Sequence, residues 1–112
     1  MRYKNGVILQ MTKVINGSPV DIKPSAEILD AMDKVDTVSK TLFKIEAVVT
    51  SVLDGVHMTN SLHYTGNAFD IRTWIYTPWQ LKRLVDEVKL TLGVNFDIVT
   101  EDDHLHIEWD PL

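Results

Sequence analysis

Two stretches of helical period lie among short β-branched runs that do not alternate with them one for one, and this order limits the folds open to the chain. Pro24-Ser25 opens the first helix, with Ser25 as N-cap. Ile28, Leu29, Met32, Val35 and Leu42 fall close to one face, predicting an amphipathic helix that runs to about Phe43. Thr77-Pro78 starts the second, since proline is tolerated in a first turn. Leu81, Leu84, Val85, Val88 and Leu92 form its apolar face, and Gly93 stops it. Residues 7–11 read as an N-terminal strand, and Asn16-Gly17-Ser18-Pro19 as a turn. Residues 45–53 are β-branched and apolar, which fits a buried strand ending at an Asp54-Gly55 turn. Residues 56–66 read as loop. In residues 67–73, Ala68, Asp70 and Arg72 share one strand face and Phe69 and Ile71 the other. Residues 96–100 and 104–109 form a hairpin across Glu101-Asp102-Asp103. The order β-α-β-loop-β-α-β-β predicts an α+β fold, a small and mainly antiparallel sheet with two flanking helices.

A chain of 112 residues is the size of one domain, 1–112, and 45% hydrophobic residues supply a core. No repeat, low-complexity stretch or linker divides it. The net charge of −5, without a lysine- or arginine-rich stripe, argues against nucleic acid as the main partner. The absence of cysteine excludes a disulfide framework and any thiolate-ligated zinc. No apolar run is long enough to span a membrane, and the N-terminal run is too short for a signal peptide. The expectation is a protein that is cytoplasmic as synthesised.

All four histidines fall in two short clusters that also carry carboxylates. The first runs from His57 through Ser61, His63, Gly66 and Asp70 to Arg72; the second reads Glu101-Asp102-Asp103-His104-Leu105-His106-Ile107-Glu108-Trp109-Asp110. His104 and His106 are two apart on a strand and so face the same way. Asp70 comes from another strand and His63 from the loop before it, where Gly66 allows a turn that lets the two converge. Imidazole with carboxylate is a donor mix that zinc accepts, and three protein ligands leave a fourth position for water. A nearby carboxylate can then serve as general base. Set against this, a lone His-x-His on a strand is common on solvent faces. It is the gathering of every histidine into two clusters that favours a metal.

Ser61-x-His63-x-x-Gly66-x-Ala68-x-Asp70, followed by Asp103-His104-x-His106, resembles the zinc D-Ala-D-Ala carboxypeptidase family. That family includes D-Ala-D-Ala dipeptidases and the L-alanyl-D-glutamate endopeptidases of phage lysins, and its zinc-site fold is shared with hedgehog signalling domains. The resemblance covers roughly residues 45–110, and His106-Ile107-Glu108-Trp109 is similar to the ending of phage endopeptidases. It implies His63, Asp70 and His106 as zinc ligands, His104 as a helper near the water or the oxyanion, and Asp103 as general base. Many relatives carry Glu at the base position. In a second register His104 is the ligand and Glu101 the base. Arg72 would hold a substrate carboxylate or steady the scissile carbonyl, or else pair with Asp70 or Asp103. His57 matches a position where hedgehog domains carry histidine, and a surface role is the simpler reading. Glu108 and Asp110 read as solvated strand-end charges. Trp74, Tyr76 and Trp79 read as core or rim packing rather than a sugar platform.

The function this implies is a zinc-dependent peptidase acting on peptidoglycan stem peptides, as carboxypeptidase or endolysin-type endopeptidase. It would reach the wall by holin release or as part of a virion. The rival is a non-catalytic, zinc-stabilised module for binding or virion structure.

Overall fold

The computed structural model describes residues 1–54 and 65–111. His57, Ser61, His63 and the Asp54-Gly55 turn expectation lie, wholly or in part, outside them. Among the described residues nine elements follow in order: β1 (Arg2–Tyr3), β2 (Met11–Ile15), β3 (Ser18–Ile22), α1 (Ala26–Phe43), β4 (Val48–Ser51), β5 (Ala68–Arg72), α2 (Pro78–Leu92), β6 (Phe96–Thr100) and β7 (His104–Trp109). Among the described residues, five strands form one sheet in the order β1-β4-β5-β7-β6, and β2 and β3 form a separate hairpin. Among these described strands the β1–β4 pair alone is parallel. This is an α+β fold with two helices and a mostly antiparallel sheet.

Both helices start where their sequence signals place them. Ser25 Oγ accepts the Ile28 amide at 3.2 Å. Thr77 and Gln80 form a reciprocal capping box behind Pro78. Their inner faces meet the sheet in one core, where Ile28, Met32, Val35, Leu84 and Val88 pack with Phe69, Ile71, Leu105 and Ile107. The alternation expected on β5 holds, with Phe69 and Ile71 inward. Leu29 does not belong to the buried face: it is 47% exposed, because the face runs through Ile28, Met32, Val35 and Ser39. Among the described residues the other face of the sheet carries no helix, and it bears His104 and His106.

Three sequence expectations need correction. The strand expected over residues 7–11 is absent from residues 7–10, and only Met11 is in a strand, as the first residue of β2. Gly6 turns the chain with φ +91°, and Ile8 instead bonds residues beyond β4, its amide to Asp54 Oδ1 at 3.1 Å and its carbonyl to the Leu53 amide at 3.1 Å. The strand expected over residues 45–53 is confined to Val48–Ser51. Its register shifts between Val49 and Ser51, and Asp54 Oδ1 takes the Val52 amide at 2.9 Å out of the ladder. The turn at Asn16-Gly17 is present but joins two strands that were not expected, with both residues at positive φ as a two-residue hairpin requires.

Two buried devices fix how the elements meet. Asp36, 8% exposed on α1, accepts the Ala47 amide at 3.0 Å ahead of β4 and pairs with Lys40 at 2.8 Å. Burial pushes its carboxyl up, but hydrogen bonds from Lys40, the Ala47 amide and the Met1 ammonium outweigh this and hold it below the usual carboxylate range. Gly66, at φ +77°, lies against the backbone of Lys23; a Cβ there would stand 2.3 Å from the Lys23 carbonyl oxygen. Its own carbonyl accepts the Ser25 amide at 2.9 Å, which docks the entry to β5 on the N-cap of α1.

Asp36→Ala leaves the Ala47 amide without its acceptor and should cost about 1–3 kcal/mol in urea denaturation near neutral pH. A folded pKa below the unfolded one contributes stability that is complete above the ordinary carboxylate value of about 4. The stability gap between wild type and Asp36→Asn should therefore shrink as pH falls through the lower folded value. Gly66→Ala should destabilise by more than about 1 kcal/mol, since it combines a forbidden contact with a left-handed φ.

Candidate metal centre

The site is built by strand pairing. β5 and β7 run antiparallel with Asp70 opposite His106 and Arg72 opposite His104, so four side chains project from one small area of the open face. Leu105 and Ile107 alternate with the histidines and are fully buried, which fixes the register of β7 and keeps both imidazoles outward.

Asp70 is 6% exposed, and both histidines converge on it. Its Oδ1 lies 3.0 Å from His106 Nδ1, and its Oδ2 lies 3.8 Å from His104 Nε2. The other nitrogen of His106, Nε2, lies 3.0 Å from Glu108 Oε1, and the other nitrogen of His104, Nδ1, lies 2.7 Å from Asp103 Oδ1. Carboxylate and imidazole thus alternate along a chain: Asp103, His104, Asp70, His106, Glu108.

His106 is the most constrained member, with a carboxylate oxygen 3.0 Å from each ring nitrogen. A neutral imidazole has one N–H and one bare lone pair, so His106 cannot satisfy two carboxylates while neutral. One nitrogen must meet a proton or another cation. Hydrogen bonding to Asp70, aided by Glu108 and opposed by burial, raises the His106 pKa above the ordinary histidine value. Asp70 and His106 could also serve as two of the donors to a zinc ion. Ligand atoms about 2.0–2.2 Å from a tetrahedral zinc stand about 3.3 Å apart, close to the Asp70–His106 separation of 3.0 Å. A ligating histidine also commonly gives its second nitrogen to a carboxylate, the position Glu108 occupies. Among the described residues, Asp70 and His106 are therefore a matched pair of donors.

Asp103 differs from Asp70. Its side chain is 83% exposed, and the His104 hydrogen bond holds its carboxyl below the usual range despite some desolvation. Arg72 places its guanidinium 4.6 Å from the centroid of the Trp74 ring. A cavity of about 190 Å³ runs along this face, lined by Lys4, Thr50, Asp70, Arg72, Trp74, Asp103 and His104.

Glu108 was not anticipated as part of the site. Its signal was available, because His106-x-Glu108 has the same two-residue period as His104-x-His106. The aromatic residues divide: Tyr76 is buried and bonds Ser39 at 2.7 Å, whereas Trp74 and Trp79 are 69% and 68% exposed. Trp74 rims the cavity, and Trp79 meets Phe43 edge-on.

A second cluster lies at the β6–β7 end. Oxygens of Asp97, Glu108 and Asp110 fall within 4.8 Å of one another. Oxygen-only donors suit hard cations rather than zinc, and Asp97 and Asp110 are exposed. Among the described residues no helix is long and apolar enough to cross a membrane. Comparison with protein-family models, with curated proteins and with solved structures finds no match to this chain.

Proposed function

We propose that the chain is a zinc-dependent peptidase acting on peptidoglycan stem peptides, with Asp70 and His106 as two of its zinc ligands. The observation that carries this reading is His106 held at 3.0 Å from a carboxylate on each ring nitrogen, with His104 aimed at the same Asp70. The third ligand in this reading is His63, and its basis is the sequence motif alone. The substrate class likewise rests on the resemblance of residues 61–70 and 103–109 to zinc D-Ala-D-Ala carboxypeptidases and L-alanyl-D-glutamate endopeptidases.

When held here, zinc supplies polarisation of an amide carbonyl and acidification of a water. The residues of the chain do the rest. Asp70 and Glu108 fix the ring of His106 from both sides and keep its tautomer defined. Asp103 Oδ1 and His104 Nδ1 are held together as a pair by their 2.7 Å hydrogen bond. Asp103 is the base at the head of the pair, and His104 carries its influence towards Asp70. The shorter Asp70 distance of His106, 3.0 Å against 3.8 Å, supports His106 as the ligand and His104 as the helper. Arg72, braced by Trp74, is placed to steady a carbonyl oxygen or a carboxylate on the substrate.

Purified zinc-loaded protein incubated with muropeptides should release shortened peptides by mass spectrometry, and chelator should abolish the release until zinc is restored. Intact muropeptides from a zinc-bound protein would instead support a non-catalytic module. His106→Ala and Asp70→Ala should lose zinc by elemental analysis. Asp103→Ala should keep zinc and lose turnover, while His104→Ala keeps most zinc and loses about 10–100-fold in turnover. Glu108→Ala should weaken zinc affinity by about 10–100-fold, as removal of a ligand's hydrogen-bond partner does. Loss of metal from His104→Ala as complete as from His106→Ala would reverse the assignment of ligand and helper.

A further inference from the structure

The cavity at His104 continues across the sheet. Its lining passes from β7 to Asp70 and Arg72 on β5, then to Thr50 on β4, and ends at Lys4 beyond β1. The Lys4 amide donates to the Val49 carbonyl at 2.8 Å, so Lys4 extends the β1–β4 ladder by one residue. Strand alternation turns Tyr3 inward, where its hydroxyl reaches Met32 Sδ at 3.8 Å, and turns Lys4 to the face that bears the site. Strands lie about 4.8 Å apart, which puts the Lys4 backbone about 10 Å from β5 and about 14 Å from β7.

The cavity therefore has a direction. The His104 imidazole and the carboxylates of Asp70 and Asp103 occupy one end, Arg72 stands beside them, and Lys4 lines the far end. Lys4 makes no ion pair with a described residue, in a chain with 16 acidic and 11 basic side chains. A strand-like peptide rises about 3.3 Å per residue, so a distance of about 10 Å corresponds to three residues.

We infer that Lys4 is a specificity-determining residue that binds a carboxylate carried by a peptide lying across the sheet, about three residues from the peptide unit at Asp70 and His104. The ligand class is an acidic peptide, its carboxylate supplied by a side chain or by the chain end. Only the idea that such a peptide is also cut rests on the peptidase reading; the binding does not.

The test is an NMR titration of the zinc-supplemented full chain with capped hexa-alanine peptides. One series carries a single glutamate moved through the sequence, a second carries glutamine at the same places, and a third has a free C-terminal carboxylate. At one glutamate position, or with the free chain end, wild type should bind about two- to fivefold tighter than to the neutral counterpart, the scale of an exposed ion pair. Lys4→Arg should keep this preference and Lys4→Ala should erase it, and raised salt should diminish it. Equal affinity for acidic and neutral peptides, or a preference that survives Lys4→Ala, overturns the inference. Cleavage without a Lys4-dependent preference would leave the peptidase reading standing and this one refuted. A Lys4-dependent preference in a protein that cuts no muropeptide would do the reverse.

Discussion

His106 faces a carboxylate oxygen at each ring nitrogen, and much of the surrounding structure serves to keep it there. The pairing of Asp70 with His106 across β5 and β7 sets one distance, and the two-residue period of β7 sets the other. Both depend on the register of β7, which is locked because a slip of one residue would expose Leu105 and Ile107 and bury the histidines. The site is thus specified by the same hydrophobic alternation that makes the core. Its electrostatic demand is simple: two anions around one imidazole call for a cation.

The helices contribute by closing the opposite face. Capped at Ser25 and Thr77, they present Ile28, Met32, Val35, Leu84 and Val88 to the inward side of the sheet, and among the described residues no helix covers the outward side. Gly66 ties this scaffold to the motif. Its carbonyl bonds the Ser25 amide, and the missing side chain lets it lie on the Lys23 backbone, so the chain enters β5 at a fixed place. Packing on one face and chemistry on the other are linked through that contact.

Both helices, the β6–β7 hairpin and the shared face of Asp70, His104 and His106 were legible in the sequence, because caps, helical period and strand alternation are local signals. Residues 7–11 were misread because a β-branched run carries no information about partners: Gly6 and the Asp54 carboxylate divert it. The β2–β3 hairpin was reduced to its turn for the same reason. Glu108 reads as a solvated charge because it lies near a strand end, although its two-residue spacing from His106 already places it on the same strand face. Lys4 could not be found from sequence. Its place in the cavity follows from β1 joining the sheet edge beside β4, a contact between segments more than forty residues apart. Asp36 was equally hidden, since a carboxylate on an apolar helix face reveals its purpose only when the Ala47 amide arrives.

The central proposal is that zinc sits between the His106 ring and Asp70. Anomalous diffraction at the zinc edge, from crystals grown with one equivalent of zinc, addresses that directly. The account predicts a single strong peak beside Asp70 and His106 Nδ1, with only nitrogen and oxygen neighbours. A peak confined to the Asp97, Glu108 and Asp110 cluster, or none above background, would contradict it.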